Sequence, residues 1–308
     1  MMTTLLVRMV ATVVYALVVS LTTMLVSRGI GEPQSGGSHD AAVRAMVSRP
    51  SERLTDIGGL YVAKRDLFRR VVLPMRRPDV FYEHPNLHPP NAVLLQGPPG
   101  TGKTTLARAL AAESGVRFLA MHAANLESKW WGETPKLLES AFRLAATELA
   151  PCIIFFDEID GIGRARSEAD QSCVYQLKCE LLRNMDAVRG APVIVLGCTN
   201  CASSLDPALR RRFSRTVCIG LPNEEERYEI LCKLEGRRRS KVLRHVSRST
   251  EGLSGADLVS LHTEAAMRRM DNLDEQTLRC AASGMDLVRS LGPISSVHWG
   301  AARAHLWK

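Results

Sequence analysis

The sequence predicts an α/β domain built on a doubly wound parallel sheet, followed by a small helical lid. Three observations predict it. Short apolar runs of strand type recur at 92–96, 117–121, 152–156, 193–198 and 216–219, with helical patterns between them. One of these runs leads straight into a glycine-rich loop and then a helix. Beyond Pro222 the pattern becomes purely helical, over Glu224–Leu234, Lys241–Val246, Gly255–Met270 and Ser296–Leu306. With 308 residues, 45% of them hydrophobic, the chain can bury a sizeable core.

The N-terminus comes first in the chain. Met9–Val26 runs for 18 residues without a charge, between Arg8 and Arg28. Taken as 5–27, the segment can cross a hydrocarbon core of about 30 Å as a helix rising about 1.5 Å per residue. It is read as a transmembrane anchor. A secretory signal peptide and a mitochondrial presequence are the alternatives. The presequence fits the lack of acids before Glu32, but Val10–Leu21 is too uniformly apolar for an amphipathic helix. Residues 28–51, Gly/Ser-rich and polar at first and then with a possible short helix, read as a linker. The large α/β domain is expected over 52–220 and the lid over 221–308, with Leu221-Pro222-Asn223 as the hinge.

Residues 97–104 read Gly-Pro-Pro-Gly-Thr-Gly-Lys-Thr and match the phosphate-binding pattern G-x-x-x-x-G-K-[ST]. Gly97, Gly100 and Gly102 let the backbone turn tightly and approach phosphate oxygens. The loop, with Pro98, Pro99 and Thr101, ends at a helix N-terminus, where Thr105 lies in the first turn and the dipole favours anions. Lys103 is expected to reach the β- and γ-phosphates of ATP, and the Thr104 hydroxyl to ligate Mg²⁺. Ala92–Gln96 before the loop and Lys103–Glu113 after it supply the strand and helix such a loop needs.

A second apolar run, Cys152–Phe156, ends in Asp157-Glu158-Ile159-Asp160. A carboxylate at the end of a buried strand can hold Mg²⁺ through water, a role given to Asp157. The next, Glu158, can orient and deprotonate the attacking water. A third run, Val193–Thr199, leads to Asn200, placed to position that water. Cys198 and Cys201 form C-x-x-C, but no second pair has zinc spacing, so they are expected as reduced thiols, with no structural metal. Net charge is +8. No zinc finger, RNA-recognition signature or aromatic-interleaved basic helix accompanies it, so nucleic acid is not expected as a partner.

These pieces together resemble the AAA family of ATPases over about residues 53–308. Asp56-Ile57-Gly58-Gly59-Leu60 is similar to the family's entry motif beside the adenine. Leu205–Phe213 resembles its second region of homology, whose paired arginines, here Arg211 and Arg212, enter a neighbour's site in the ring. Ser254–Leu258, with Gly255 and Ala256, resembles the motif that closes the small domain over nucleotide. The resemblance implies an ATP hydrolase working as a homohexamer. An arginine supplied in trans also makes physical sense, because it stabilises charge on the transferred phosphoryl group.

Ser128-Lys129-Trp130-Trp131-Gly132-Glu133 corresponds to the family's pore loop, where Trp130 and Trp131 would grip an extended polypeptide. Core packing is the bland alternative for these rings. The doublet followed by Gly-Glu, with Val71–Arg77, looks like the membrane-anchored extractase of mislocalised tail-anchored proteins. The arginine triplet at 210–212 is closer to katanin's form. The expectation adopted is an extractase in the mitochondrial outer membrane, or the peroxisomal one, with its ATPase facing the cytosol. The alternatives are a microtubule-severing ATPase of the katanin and spastin type, a mitochondrial inner-compartment AAA chaperone, a non-hydrolysing ATP-binding scaffold, and a nucleic-acid motor.

Overall fold

Runs of apolar residues buried on both faces make the centre of the sheet. β4 (Cys152–Asp157) is buried up to its last residue, β5 (Val193–Thr199) throughout, and β2 (Ala92–Gln96) up to Gln96. Successive side chains of a strand point to opposite faces. Phe155 therefore stacks on Phe118 on one face, with centroids 5.3 Å apart, and Phe156 on Phe142 on the other, at 6.1 Å. The structure is a computed structural model that describes residues 37–82, 89–122, 134–163, 171–236, 240–270 and 294–306.

With β3 (Arg117–His122), β6 (Arg215–Cys218) and β1 (Val47–Ser48), the sheet runs in the order β1-β3-β4-β5-β2-β6. Strands β2 to β6 pair in parallel. β1 pairs antiparallel, with Val47 opposite Leu119 and Ser48 opposite Phe118. The expected all-parallel sheet is thus mixed, because a two-residue strand needs no crossover and carries no readable alternation.

The helix before that strand explains its presence. α1 (Gly37–Met46) buries Val43 completely in a cluster that includes Leu137 and Phe142, and Ala42, Met46 and Val47 pack against the same cluster. Asp40 accepts from the Ser140 hydroxyl and from Arg143, while Arg44 forks onto Glu148 at 3.0 and 3.1 Å. Residues 37–48, read from the sequence as linker, belong here to the α/β unit. The possible short helix of the sequence reading is present as α1, and its partners lie about a hundred residues away.

Contacts divide the chain into two units. Of the described residues, the α/β unit holds those from 37 to 54, from 61 to 98 and from 103 to 219; the second holds those from 55 to 60, 99 to 102 and 220 onward. In the first, α2 (Tyr61–Leu67) runs through a π-helical turn at Phe68–Val72 into α3 (Leu73–Arg76), and α4 (Pro78–Tyr82) follows. Then come α5 (Lys103–Ser114), α6 (Thr134–Ala146), the short α7 (Asp160–Gly163), α8 (Gln171–Ala187) and α9 (Pro207–Arg212).

The second unit is helical: α10 (Glu224–Leu234), α11 (Lys241–Ser249), α12 (Gly255–Met270) and α13 (Ser296–Leu306). Its core includes Leu231, Leu258, Leu261, Ala265 and Trp299. α10 opens on a capping box between Asn223 and Glu226. Arg227 is buried and donates to the carbonyls of Pro222 at 2.8 Å and Ser247 at 2.9 Å, which ties the residue before the N-cap of α10 to the last turn of α11. Residues 5–27, expected as a transmembrane helix, lie outside the described residues. Among the described residues no helix is long and apolar enough to cross a membrane.

Candidate active site

β5 lies between β4 and β2, so the residues that follow these three parallel strands meet at one edge of the sheet. Gly97 ends β2 there. A Cβ on it would sit 1.9 Å from the Ile219 carbonyl oxygen, so only glycine lets the chain pass. Lys103, at the start of α5, is buried and donates to three oxygens: the Gly97 carbonyl at 2.8 Å, the Pro98 carbonyl at 2.7 Å and Asn200 Oδ1 at 2.8 Å. Burial pushes its ammonium down from the ordinary lysine range, against the pull of Asp157, Asp160 and Glu158.

Thr104 donates its hydroxyl to Asp157 Oδ2 at 3.0 Å. A hydroxyl and one carboxylate fit a Mg²⁺ ion that keeps most of its ligands as water and phosphate oxygens. Among the described residues, no group of three or more His, Cys, Asp or Glu side chains is placed to hold a metal alone. The same edge suits a nucleotide, because the three oxygens around Lys103 mark positions that phosphate oxygens can take over.

Glu158 is exposed and sits at φ 51°, a left-handed conformation that non-glycine residues avoid. Its N–H donates to Asp157 Oδ1 at 3.1 Å, and Ile159 N–H to the Cys198 carbonyl at 2.9 Å. The turn after β4 is thereby pinned to β5, and the Glu158 side chain leaves the sheet edge toward solvent. Such strain at a functional turn is held by its surroundings. Cys198 is buried in β5, where burial pushes its thiol up, and no disulfide joins it to Cys201. Thr105 is exposed on the first turn of α5.

The two predicted arginines differ. Arg212 forks onto Asp186, with contacts at 3.2, 3.2 and 2.9 Å, and the carboxylate raises its pKa. Arg211 is exposed and has no hydrogen-bond or ion-pair partner among the described residues. α9, which carries both, is capped by Asp206, and Asp206 is itself held by Lys178 at 2.7 Å. Asp186 escaped the sequence reading because a lone acid in a mixed helix gives no local signal.

In the second unit, Gly59 N–H donates to Glu229 Oε2 at 2.8 Å and Leu60 N–H to Glu226 Oε1 at 2.7 Å. Gly58 lies so close to Ile230 that a Cβ would come within 2.6 Å of its side chain. The motif Asp56–Leu60 is therefore docked on α10, with Asp56 exposed and Ile57 half-buried. Glu226 serves twice, as capping-box partner and as acceptor for Leu60, and the sequence analysis gave it neither role. Gly100, Thr101 and Pro99 also belong to this unit. Gly100 has φ 73° and its carbonyl accepts from Ala256 N–H at 3.0 Å, beside Ser254 and Gly255. Trp130 and Trp131 lie outside the described residues, as do 237–239.

Comparison with known proteins adds the family. The model for the ATPase family associated with various cellular activities (AAA) matches residues 93–221, and that for the AAA+ lid domain matches 242–279. Fidgetin-like protein 1 of Caenorhabditis briggsae is 37% identical over 282 residues, which is 82% of this chain and 47% of that protein. Spastin of Sus scrofa is 41% identical over 246 residues, 77% of this chain and 39% of that protein. The chain thus spans less than half the length of the curated relatives it matches. Among solved structures, the FIGL-1 AAA domain in complex with ADP aligns with a TM-score of 0.72 and 33% identity, covering 88% of this chain and 91% of that one. A katanin structure determined for its self-assembly aligns with a TM-score of 0.68 and 35% identity, at the same coverages.

These likenesses correct two expectations. The extractase of tail-anchored proteins was chosen on the tryptophan doublet followed by Gly-Glu, on Val71–Arg77 and on an N-terminal anchor with a short linker, whereas the likeness to fidgetin-like protein 1 and spastin runs over more than two hundred residues. The placement in the mitochondrial outer or peroxisomal membrane rested on that choice and falls with it. The arginine triplet at 210–212 was the local signal that pointed the other way.

Proposed function

Because this chain belongs to the AAA family of ATPases, we propose that it is a severing ATPase of the katanin, spastin and fidgetin-like kind. In that reading it forms a homo-oligomeric ring and uses ATP hydrolysis to pull on tubulin in the microtubule wall. The observation that carries the reading is the extended likeness to fidgetin-like protein 1 and spastin, supported by the arginine triplet. Supporting the reading, the α/β unit carries Asp157 and Glu158, while α9 carries Arg211, exposed and with no hydrogen-bond or ion-pair partner among the described residues.

Bound ATP with Mg²⁺ supplies the scissile phosphoanhydride and its charge neutralisation; the protein supplies the rest. Lys103 exchanges its loop carbonyls for phosphate oxygens. Thr104 and Asp157 would hold the ion. Glu158, held outward by its strained turn, takes the proton of the attacking water, and Asn200 orients that water while steadying Lys103. Arg211 and Arg212 of a neighbouring subunit stabilise the transition state. Trp130 and Trp131 grip the pulled chain by apolar contact.

Two assays on the full chain test this. Taxol-stabilised fluorescent microtubules are imaged with ATP, and phosphate release is followed with and without microtubules. The expected result is gaps appearing along filaments and ATPase stimulated by microtubules. Intact filaments with unstimulated turnover, beside a working spastin control, would leave an AAA ATPase with another polypeptide target.

A further inference from the structure

The opposite end of β2 carries a second concentration of groups suited to phosphate. A cavity of about 220 Å³ opens there, its lining including Asn91, Met185, Arg189, Arg211, Arg212 and Ser214. Asp186 reaches Arg189 at 2.9 Å and Arg212 at 2.9 Å. Three guanidinium charges against this one carboxylate leave two positive charges in excess. Arg211 has no partner among the described residues, and neither has the side-chain amide of Asn91. The Asn91 carbonyl, by contrast, accepts from Val195 N–H at 2.9 Å, and the Ser214 hydroxyl donates to the Ala92 carbonyl at 3.0 Å. Backbone and hydroxyl are thus satisfied, while one guanidinium and one amide remain to receive a ligand.

We propose that this cavity binds inorganic phosphate, the product of ATP hydrolysis. Planar guanidinium forks match an oxyanion's geometry, and a doubly charged phosphate matches the excess of two positive charges. The volume lies below the roughly 300 Å³ at which ligand-sized pockets begin, so a tetrahedral oxyanion with a few waters fits and a nucleoside triphosphate does not. The site is separate from the phosphate loop of the same chain. The five residues of β2 stand between them, about 17 Å at about 3.3 Å per residue. Asp186 confers selectivity, because it repels anions that cannot reach Arg211 and Asn91 together. One consequence rests on the ring reading above: phosphate held here engages Arg211, and with it the arginine that would act on a neighbour's nucleotide. Accumulating product then slows the ring.

The test separates this site from the phosphate loop. Inorganic phosphate is titrated calorimetrically into the full chain carrying Lys103→Ala, which disables the loop. One phosphate is expected to bind, and adding Arg189→Ala should weaken it about tenfold or more, the loss expected for a charge-assisted contact. Arg189→Lys should weaken it less. If Lys103→Ala does not fold by circular dichroism, the same titration is run on the chain saturated with ADP. Absence of phosphate binding, or binding indifferent to Arg189→Ala, overturns the proposal. A second readout is turnover with and without added phosphate: inhibition should fall in Arg189→Ala. If phosphate binding depends on Arg189 but Arg211→Ala leaves turnover unchanged, the cavity stands and the trans-arginine reading fails.

Discussion

The two ends of β2 use opposite strategies toward phosphate. At its C-terminal end, one buried lysine faces three carboxylates, and a threonine hydroxyl already rests on Asp157. Charge there leaves two negatives in excess, which a divalent cation can offset. At its N-terminal end, three arginines face one carboxylate and no metal ligand set. An excess of negative charge suits a site that takes its anionic nucleotide together with a cation. An excess of positive charge suits holding an anion or reaching across to one. Lys103 against Arg211 is the same contrast between single residues: one is buried with every donor engaged, the other exposed with none engaged among the described residues.

The largest expected effect comes from the arginine end. Arg211→Ala should lower ATP turnover by about 10³-fold or more while leaving ATP binding intact, measured by phosphate release and by nucleotide fluorescence. Mixing Arg211→Ala with Lys103→Ala chains should restore part of the activity, because each supplies what the other lacks. If the mixture stays inactive, the arginine acts within its own chain and the contrast between the two ends loses its functional meaning.

A loss about an order of magnitude smaller is expected at the lysine end. Glu158→Gln should lower turnover by about 10² to 10⁴-fold and keep ATP bound, as removal of a general base does. Normal hydrolysis by this variant would move the base to another residue. The smallest effect should come from α1, which touches neither end. Burial works against the Asp40 carboxylate, but Ser140, Arg143 and Arg44 outweigh it and hold its pKa below the usual value of 3.8. A depressed carboxylate contributes stability above the unfolded pKa and loses it as pH falls through the lower folded one. Asp40→Asn should therefore cost about 1–3 kcal/mol at pH 7, read by denaturant melts, and progressively less in acid. Turnover per folded molecule should not change.

Much of this was legible before any coordinates. Cys152–Phe156 announced a doubly buried strand because nothing polar interrupts it, and the loop at 97–104 announced its chemistry because glycine spacing and Lys103 are local properties. What stayed hidden depends on distance along the chain. Asp186 gains meaning only when α9 brings Arg212 beside it, and Glu226 and Glu229 only when residues about 170 positions earlier dock on α10. α1 was readable as a possible short helix, but its docking on the α/β unit was hidden for the same reason. The tryptophan doublet misled because a two-residue signal was set against a likeness distributed over the whole domain.

β1 has a consequence for handling the molecule. Its two residues shield the outer backbone of β3 at Leu119 and Phe118, and α1 roofs the apolar surface beside them. A truncation starting at Glu52, just ahead of the recognisable motifs, would strip both away. It would bare a flat strand edge next to a greasy seat, the combination that makes chains stick edge to edge and precipitate. The dozen residues from 37 to 48 thus act as a solubility guard for the catalytic unit, and a preparation lacking them would cloud before its chemistry could be judged.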